Sequence, residues 1–258
     1  YGYYLLEGHR AVLAGLTVDP RADRHSVGVP LVEELLSSMW RNATVRRVEC
    51  QSIPFGLPWL GDYLQTKGFQ KYERLFLRRS PQRVQVLEAP SREPLAPPAR
   101  RGEIAVLPWN TTFLAEGARL MQQAHAGRID AEMNEFYRSR DGCRALLENI
   151  LFQRGCGIPI LSASFAARRL PTQAFCGFVL VAQISRGHAH VAQVAVSPST
   201  QGQGVGRLLL QHAIRALVGR NFQSVSLMVS QSNQKAFSLY RSLGFRRVLR
   251  FPVFSWDR

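Results

Sequence analysis

The chain is nearly without lysine. Only Lys67, Lys71 and Lys235 are present, although lysine and arginine together number 33 against 18 acidic residues. The net charge of +15 is therefore carried almost entirely by arginine. Such a balance attracts anions: nucleotide phosphates, nucleic acid or acidic proteins. No nucleic-acid-binding motif and no basic run interleaved with aromatics accompanies it, so no nucleic-acid partner is expected. An arginine-biased composition with one phosphate-rich ligand is the expected meaning of the charge. Cysteine is sparse as well. Cys50, Cys143, Cys156 and Cys176 are scattered, with no C-x-x-C pair and no Cys/His spacing that would hold zinc, so no metal centre is expected. Free, partly buried thiols in a reducing compartment fit this usage, and a cytoplasmic location is expected. No base stands beside any of the four to mark a nucleophile. No apolar run is long enough to span a bilayer, and no membrane partner is expected. The chain begins at Tyr1 rather than at Met, so the lack of a secretory pattern carries little weight.

What is present reads as globular. Hydrophobic residues make up 46% and charged residues 20% of 258, enough for one large domain or two ordinary ones. The stretch over residues 190–245 organises the rest. An apolar strand over 191–196 ends in Ser197-Pro198, and a glycine-rich turn, Gln201-Gly202-Gln203-Gly204-Val205-Gly206, opens a helix. A second strand over 225–229 leads to a short helix that ends at Gly244-Phe245. A helix N-terminus offers free N–H groups and the positive end of a dipole, so strand, turn and helix start together form an anion site.

The front of the chain repeats this stretch. Leu13 to Pro20 (LAGLTVDP) lies over Val191 to Pro198 (VAQVAVSP), 178 positions apart, and Val27-Gly28 lies over Val205-Gly206 at the same offset. Gly68-Phe69 lies over Gly244-Phe245 at an offset of 176. Strand, helix and Gly-Phe in one order indicate two copies of one unit. Asp23-Arg24-His25-Ser26 stands where the second copy has Gln201-Gly202-Gln203-Gly204. Two glycines are gone and an acidic residue repels phosphate, so the first copy reads as a structural partner without the ligand site. Its opening strand matches residues 179–184, so it lacks counterparts to the front half of the second. Strands are expected over 1–6, 10–18, 43–48 and through Leu75 and Leu77, and helices over 27–39 and 59–66. Residues 80–101, rich in Pro and charge, read as a linker. The second copy is expected to run from a strand at 102–108 through helices at 113–124 and 130–152. Strands at 160–166, 176–184 and 189–196 then precede the glycine turn. The expected domains are thus 1–79, 80–101 and 102–258. The fold class is α+β, an α/β mixed sheet in two units, the first partial and degenerate, the second complete.

At this point the second copy resembles the GNAT superfamily of N-acetyltransferases. The Gln201 to Gly206 turn matches the family's Q/R-x-x-G-x-G/A pattern, preceded by Val194 to Pro198. Asn233, Ala236, Leu239, Tyr240, Gly244 and Phe245 match N-x-x-A-x-x-L-Y-x-x-x-G-F. The match covers about 102–254, and the first copy resembles the back half of the same fold, so the whole looks like a tandem acetyltransferase. The resemblance implies acetyl-coenzyme A as co-substrate. It implies that backbone N–H groups of Gln201, Gly202, Gln203, Gly204, Val205, Gly206 and Arg207 cradle the pyrophosphate. It also implies that the pantetheine arm runs along Val194, Ala195 and Val196, where two central strands splay. Asn233 matches the residue that steadies the pantetheine. Tyr240 matches the general acid that protonates the departing thiolate.

The implied reaction is direct attack by an amine on the thioester, which needs a base. Histone-acetylating members use a glutamate on the strand before the turn; counted back, that position is His190 here. Histidine titrates near neutrality and suits the task. Simple alternation puts His190 on one strand face with Val194 and Val196. The resemblance also places Asp130, Glu132 and Glu135 on the helical region that walls the acceptor site, where they could bind a substrate ammonium. Plainer readings stand beside these. Tyr240 is also an aromatic packing near Phe237 and Phe245, His188 and His190 are also a surface pair at a hairpin, and Asp130, Glu132 and Glu135 are also a solvated acidic helix face, the commoner meaning of such residues. The expected function is an acetyl-CoA-dependent N-acetyltransferase acting on a small-molecule or peptide amine, as monomer or homodimer. The alternative is a non-catalytic acyl-CoA-binding or regulatory module.

Overall fold

The computed structural model describes residues 1–51, 57, 59–80 and 103–258. The expected linker at 80–101 lies, apart from Ser80, outside the described residues. The described chain divides into two compact units. One comprises Tyr1–Arg74, Glu132–Asn134 and Arg250–Arg258; the other comprises Leu75–Ala131 and Glu135–Leu249.

The first unit begins with a hairpin of β1 (Gly2–Glu7) and β2 (Arg10–Leu16), turned at Gly8, whose φ of 64° suits glycine. A π-helical turn over Arg24–Gly28 leads into α1 (Val29–Arg41), which buries Val32, Leu36 and Met39 at helical spacing. β3 (Arg47–Cys50) follows, later than the expected 43–48, because Asn42 folds back and accepts from the Thr44 N–H at 3.0 Å. Next come α2 (Leu60–Thr66), closed by Gly68 at φ 86°, and β4 (Gln70–Arg79), whose last five residues count with the second unit. β2 pairs antiparallel with β1 and parallel with β3, and the C-terminal residues Phe254 to Asp257 pair antiparallel with β3.

A buried charge network lies inside this unit. Arg47 and Glu49 are each 1% exposed. Arg47 Nε donates to Glu49 at 2.6 Å and Nη1 to Asp257 at 2.6 Å, while Arg10 donates to Glu49 at 3.0 Å. Arg47 also donates to the Glu132 carbonyl, and Gln51 donates to the Met133 carbonyl at 2.7 Å. Partners on every side are what such a buried pair requires.

The second unit starts with β5 (Ile104–Pro108). Asn110 accepts from the Thr112 N–H at 2.9 Å and starts a turn that becomes α3 (Leu114–His125). The helix expected over 130–152 is three pieces. They are α4 (Ile129–Met133), a 3-10 turn at Glu135–Arg138, and α5 (Arg140–Leu151), which Ser139 caps by accepting from the Gly142 N–H. Then come β6 (Ile158–Pro159), β7 (Phe165–Arg169), β8 (Ala174–Ser185), β9 (His188–Val196), α6 (Val205–Val218), β10 (Ser224–Ser230), α7 (Gln234–Ser242) and β11 (Arg246–Asp257). The sheet order through this unit is β4-β10-β9-β8-β7-β5, with β9 and β10 parallel and β9-β8-β7-β5 antiparallel.

Helices cover both faces of this sheet. On one face α6 buries Leu209, Leu210, Ile214 and Leu217 against Val179, Val181 and Val225, joined by Tyr240 of α7 and by Leu243 just after it. On the other, α3 and α5 bury Met121, Cys143, Leu147 and Ile150 against Phe178 and Leu180. Each such large apolar side chain contributes about 1.5–3 kcal/mol on burial. All four cysteines are free thiols. No described helix is long and apolar enough to cross a membrane.

Candidate active site

The parallel ladder between β9 and β10 is short. It pairs His188 with Ser224, Ala189 with Val225 and His190 with Ser226, and then stops. Both strands continue, β9 to Val196 and β10 to Ser230, with no further pairing between them among the described residues. Beyond His190 the two strands part, and the β9 backbone from Val191 onward faces a wedge instead of a neighbour.

A bulge decides which side chains face which way along β9. Leu180 pairs with Gln193 but Val181 pairs with Val191, so Ala192 is an extra residue. Val191, Val194 and Val196 pack toward α6, whereas Ala192 and Ala195 pack toward α3 and α5. The expectation that His190 shares a face with Val194 and Val196 is overturned. The inserted residue reverses the alternation between them, which puts His190 on the α3/α5 side. His190 is buried, stacks on Phe76 at 6.3 Å between ring centroids, and has its Nδ1 2.9 Å from Ser226 Oγ. The Ser226 hydroxyl donates its one proton to the Ala189 carbonyl at 3.2 Å. With that proton so placed, Ser226 Oγ accepts from His190 Nδ1, the tautomer in which Nε2 is the acceptor nitrogen.

At the wide end of the wedge, β9 runs into the glycine turn. Residues Pro198–Thr200 form a 3-10 turn, and Gly202 and Gly204 follow with φ of 80° and 85°. The space around Gly202 is open, so its backbone conformation, not crowding, calls for glycine. Gly204 is the N-cap of α6 and has no side chain to cap it. No described residue accepts from the N–H groups of Gly202, Gly204, Val205, Gly206 or Arg207. Three arginines stand around the turn. Arg128 donates to Gln201 at 2.9 Å, Arg169 donates to Gln203, and Arg207 donates to Ser242 at 2.8 Å. Arg128 and Arg169 are distant in sequence from the glycine pattern, and only the fold brings them there.

Asn233 caps α7, its Oδ1 accepting from the Ala236 N–H at 3.2 Å. On that helix Tyr240 is 6% exposed, and its hydroxyl has no hydrogen-bond partner among the described residues. Burial pushes its pKa well above the ordinary phenol value, and the nearby Asp130 and Tyr137 push it further. A residue of the α6 side feels groups held on the α3 side because β9 and β10 have parted between them. Tyr137 donates to Gln193 at 3.1 Å and stacks on His125 at 4.0 Å, and Asp130 accepts from Ser230, the last residue of β10. Of this polar cluster only Asp130 stands out in the sequence, as a candidate for a substrate ammonium or a surface charge. The thiols are unsuited to nucleophilic work: burial pushes Cys143 up to about 12 and raises Cys156 and Cys176 as well. Among the described residues no group of His, Cys, Asp and Glu could hold a metal ion.

The model of the acetyltransferase (GNAT) family matches residues 133–245, which span the wedge, the glycine turn and Tyr240. Over these residues the chain is similar to the GNAT family. Similar proteins include the [Ribosomal protein bS18]-alanine N-acetyltransferase of Escherichia coli (strain K12), 42% identical over 68 residues, covering 26% of this chain and 46% of that protein. The mycothiol acetyltransferase of Thermomonospora curvata is 46% identical over 54 residues, covering 21% of this chain and 18% of that protein. The chain thus spans less than half the length of these curated relatives. In fold, it resembles a GCN5-related N-acetyltransferase from Sphaerobacter thermophilus, with a TM-score of 0.70 at 15% identity over 100% of this chain and 76% of that one. A tandem GNAT protein from the clavulanic acid biosynthesis pathway aligns with a TM-score of 0.60 at 14% identity, over 97% and 75% of the two chains.

Proposed function

We propose that the protein is an acetyl-CoA-dependent N-acetyltransferase whose second unit carries the reaction. The observation that carries this reading is the wedge between β9 and β10, with unpaired amides at its mouth and a buried phenol without a hydrogen-bond partner along it. These features fit acetyl-CoA. Donors at a helix N-terminus suit a pyrophosphate, assisted by Arg128, Arg169 and Arg207. The β9 edge from Val191 to Val196 offers backbone groups to an amide-bearing arm such as pantetheine. Asn233 keeps its Nδ2 available for the same arm while Oδ1 holds the helix.

The thioester supplies an activated acetyl group. In the transfer the N–C bond to the acetyl carbon forms and the C–S bond breaks. Tyr240 gives its proton to the departing sulfur, and a buried phenol with a raised pKa remains protonated until then. His190 accepts the proton of the amine at Nε2, relayed from the wedge to its apex. A binding module without transfer would need only the turn and the arginines, and Tyr240 would serve no purpose in it.

The first unit is read as a degenerate copy of the second, making the chain a tandem. In the second unit the parallel ladder ends at His190 and Ser226, and Ala192 is the bulge. In the first the ladder ends at Val12 and Glu49, and the register shift leaves Ala14 extra, 178 positions before Ala192. In the first copy Asp23 occupies the helix start, accepting from the Ser26 N–H at 2.7 Å, where the second leaves its amides unpaired. That bond holds Asp23 below the ordinary carboxylate range.

Two measurements test the reading. Acetyl-CoA at millimolar concentration raises the melting temperature. With a panel of amines the protein then releases free CoA thiol. Stabilisation without release for any amine would leave the binding module in its place. Gly204→Ala puts a Cβ on a left-handed residue, strains it by about 1–2 kcal/mol, and weakens acetyl-CoA binding by roughly tenfold.

A further inference from the structure

The proposed transfer leaves His125, Asp130, Tyr137 and Gln193 without a part. They form a directed chain. The Tyr137 hydroxyl donates to Gln193 Oε1 at 3.1 Å, which orients the amide so that its NH2 faces His125 Nε2 at 3.4 Å. An amide nitrogen only donates, so His125 Nε2 accepts, and the neutral ring carries its proton on Nδ1. That atom lies 3.9 Å from Asp130 Oδ2. Ser230 donates to the other oxygen of Asp130. The chain thus leads to one carboxylate, to which Ser230 donates and which His125 Nδ1 approaches without a hydrogen bond, and that carboxylate is only 14% exposed.

The position of this carboxylate gives it a use. Gln193 belongs to β9 and Ser230 to β10, so the chain of polar groups joins the two strands across the gap that their backbones leave. Asp130 also acts on Tyr240, the proposed proton donor to the sulfur. A nitrogen that attacks the thioester must pass close to both. Amines at neutral pH arrive as ammonium ions, and a carboxylate with spare lone pairs receives one. A substrate with its own carboxylate on the carbon beside the nitrogen would set two negative charges against each other in a half-buried place.

We propose that Asp130 is the cation-recognition residue of the acceptor subsite, and that the acceptor is a primary amine with no carboxylate on the carbon that bears the nitrogen. A peptide N-terminus, an amino sugar or an alkylamine has this chemistry, and a free α-amino acid does not. His125, Tyr137 and Gln193 position the carboxylate. The assignment rests on the N-acetyl transfer proposed above.

The test compares L-alaninamide with L-alanine as acceptors for the full chain, by CoA-thiol release, at matched concentrations of the unprotonated amine. Acetyl-CoA stabilisation is measured alongside. The expected result is a preference for alaninamide on the order of tenfold or more in kcat/KM. Asp130→Asn, which keeps the shape, raises the KM for alaninamide by about tenfold, narrows the preference, and leaves acetyl-CoA stabilisation as it was. Asp130→Glu restores part of the loss. Equal use of the two amines by the unaltered protein overturns the assignment, whether or not the variant folds. An unchanged KM in Asp130→Asn overturns it too. Acetyl-CoA stabilisation with no release for any amine would instead sink the transferase reading, and the subsite with it.

Discussion

Tyr240 shows how one side chain is set for a task by what surrounds it. It lies in the core under α6, yet its hydroxyl has no hydrogen-bond partner among the described residues. Buried polar groups are normally bonded, so a bare one marks a place where a ligand or water completes the shell. Tyr240→Phe removes the proton donor but no folded-state hydrogen bond. The expected outcome is a fall in kcat on the order of a hundredfold, with a melting temperature at neutral pH unchanged or slightly raised. The raised pKa adds a pH signature. A phenol that titrates later in the folded protein than at its ordinary value of 10.0 favours folding at every pH below that value. This contribution is lost as pH rises through 10 toward the raised folded value. The melting temperature of the parent should therefore fall faster above pH 10 than that of Tyr240→Phe; parallel curves would show that the phenol is not held neutral. Cys143 is shifted the same way, to about 12, so alkylation by iodoacetamide at pH 8 should leave it unmodified in the folded protein and label it on unfolding. The thiol assay for CoA release then runs with little background from this residue.

At the scale of elements, the bulge at Ala192 matters most to the site. Without it, His190, Val194 and Val196 would share one face, and Gln193 would turn away from Tyr137. Ala192→Pro is compatible with an extra residue off the ladder only if its N–H is unused. Deleting Ala192 is the cleaner test, since it takes out the extra residue and leaves the other side chains of β9 on the faces they have. The expected outcome is a protein that still folds, with thiol release reduced because the local bend of β9 is lost; a melting temperature as low as that of a core deletion would show that Ala192 is not off the ladder. The sequence could not disclose the bulge, because the run VAQVAV reads as an unbroken period of two. The glycine turn, by contrast, was readable: Gly202 and Gly204 take left-handed φ angles that few other residues accept. So was the close of each copy, where Gly68 and Gly244 end a helix before a buried phenylalanine. Helix boundaries inside 130–152 were less so. Apolar spacing runs through the whole stretch, and only the Ser139 cap, one polar residue among several, divides it. The cluster at His125, Tyr137 and Gln193 was unreadable for a simpler reason. Its members come from α3, a 3-10 turn and a strand, and no local pattern joins them.

For the whole molecule the comparison of the two units leads to a stoichiometry. The same ladder length, the same bulge and the same Gly-Phe closure recur in both. At equivalent places the chemistry differs. Glu49 stands where the second unit has Ser226, and it is locked to Arg47 and Arg10 instead of holding a histidine. Asp23 places an internal anion on the helix start where the second unit leaves amides unpaired. On the tandem reading proposed above, the first unit carries internal charge pairing where the second carries the proposed ligand site. Breaking that pairing from one side is costly: Glu49→Ala leaves Arg10 and Arg47 with less counter-charge and should lower the unfolding free energy by about 3–5 kcal/mol. Replacing Arg47 and Glu49 together by apolar residues of similar volume should cost far less. Titration calorimetry with acetyl-CoA should accordingly give one site per chain, and Gly204→Ala should weaken that one site without exposing another. Two sites per chain, or binding that survives Gly204→Ala but is altered by changes at Asp23, would place a ligand in the first unit and refute its reading as a closed copy.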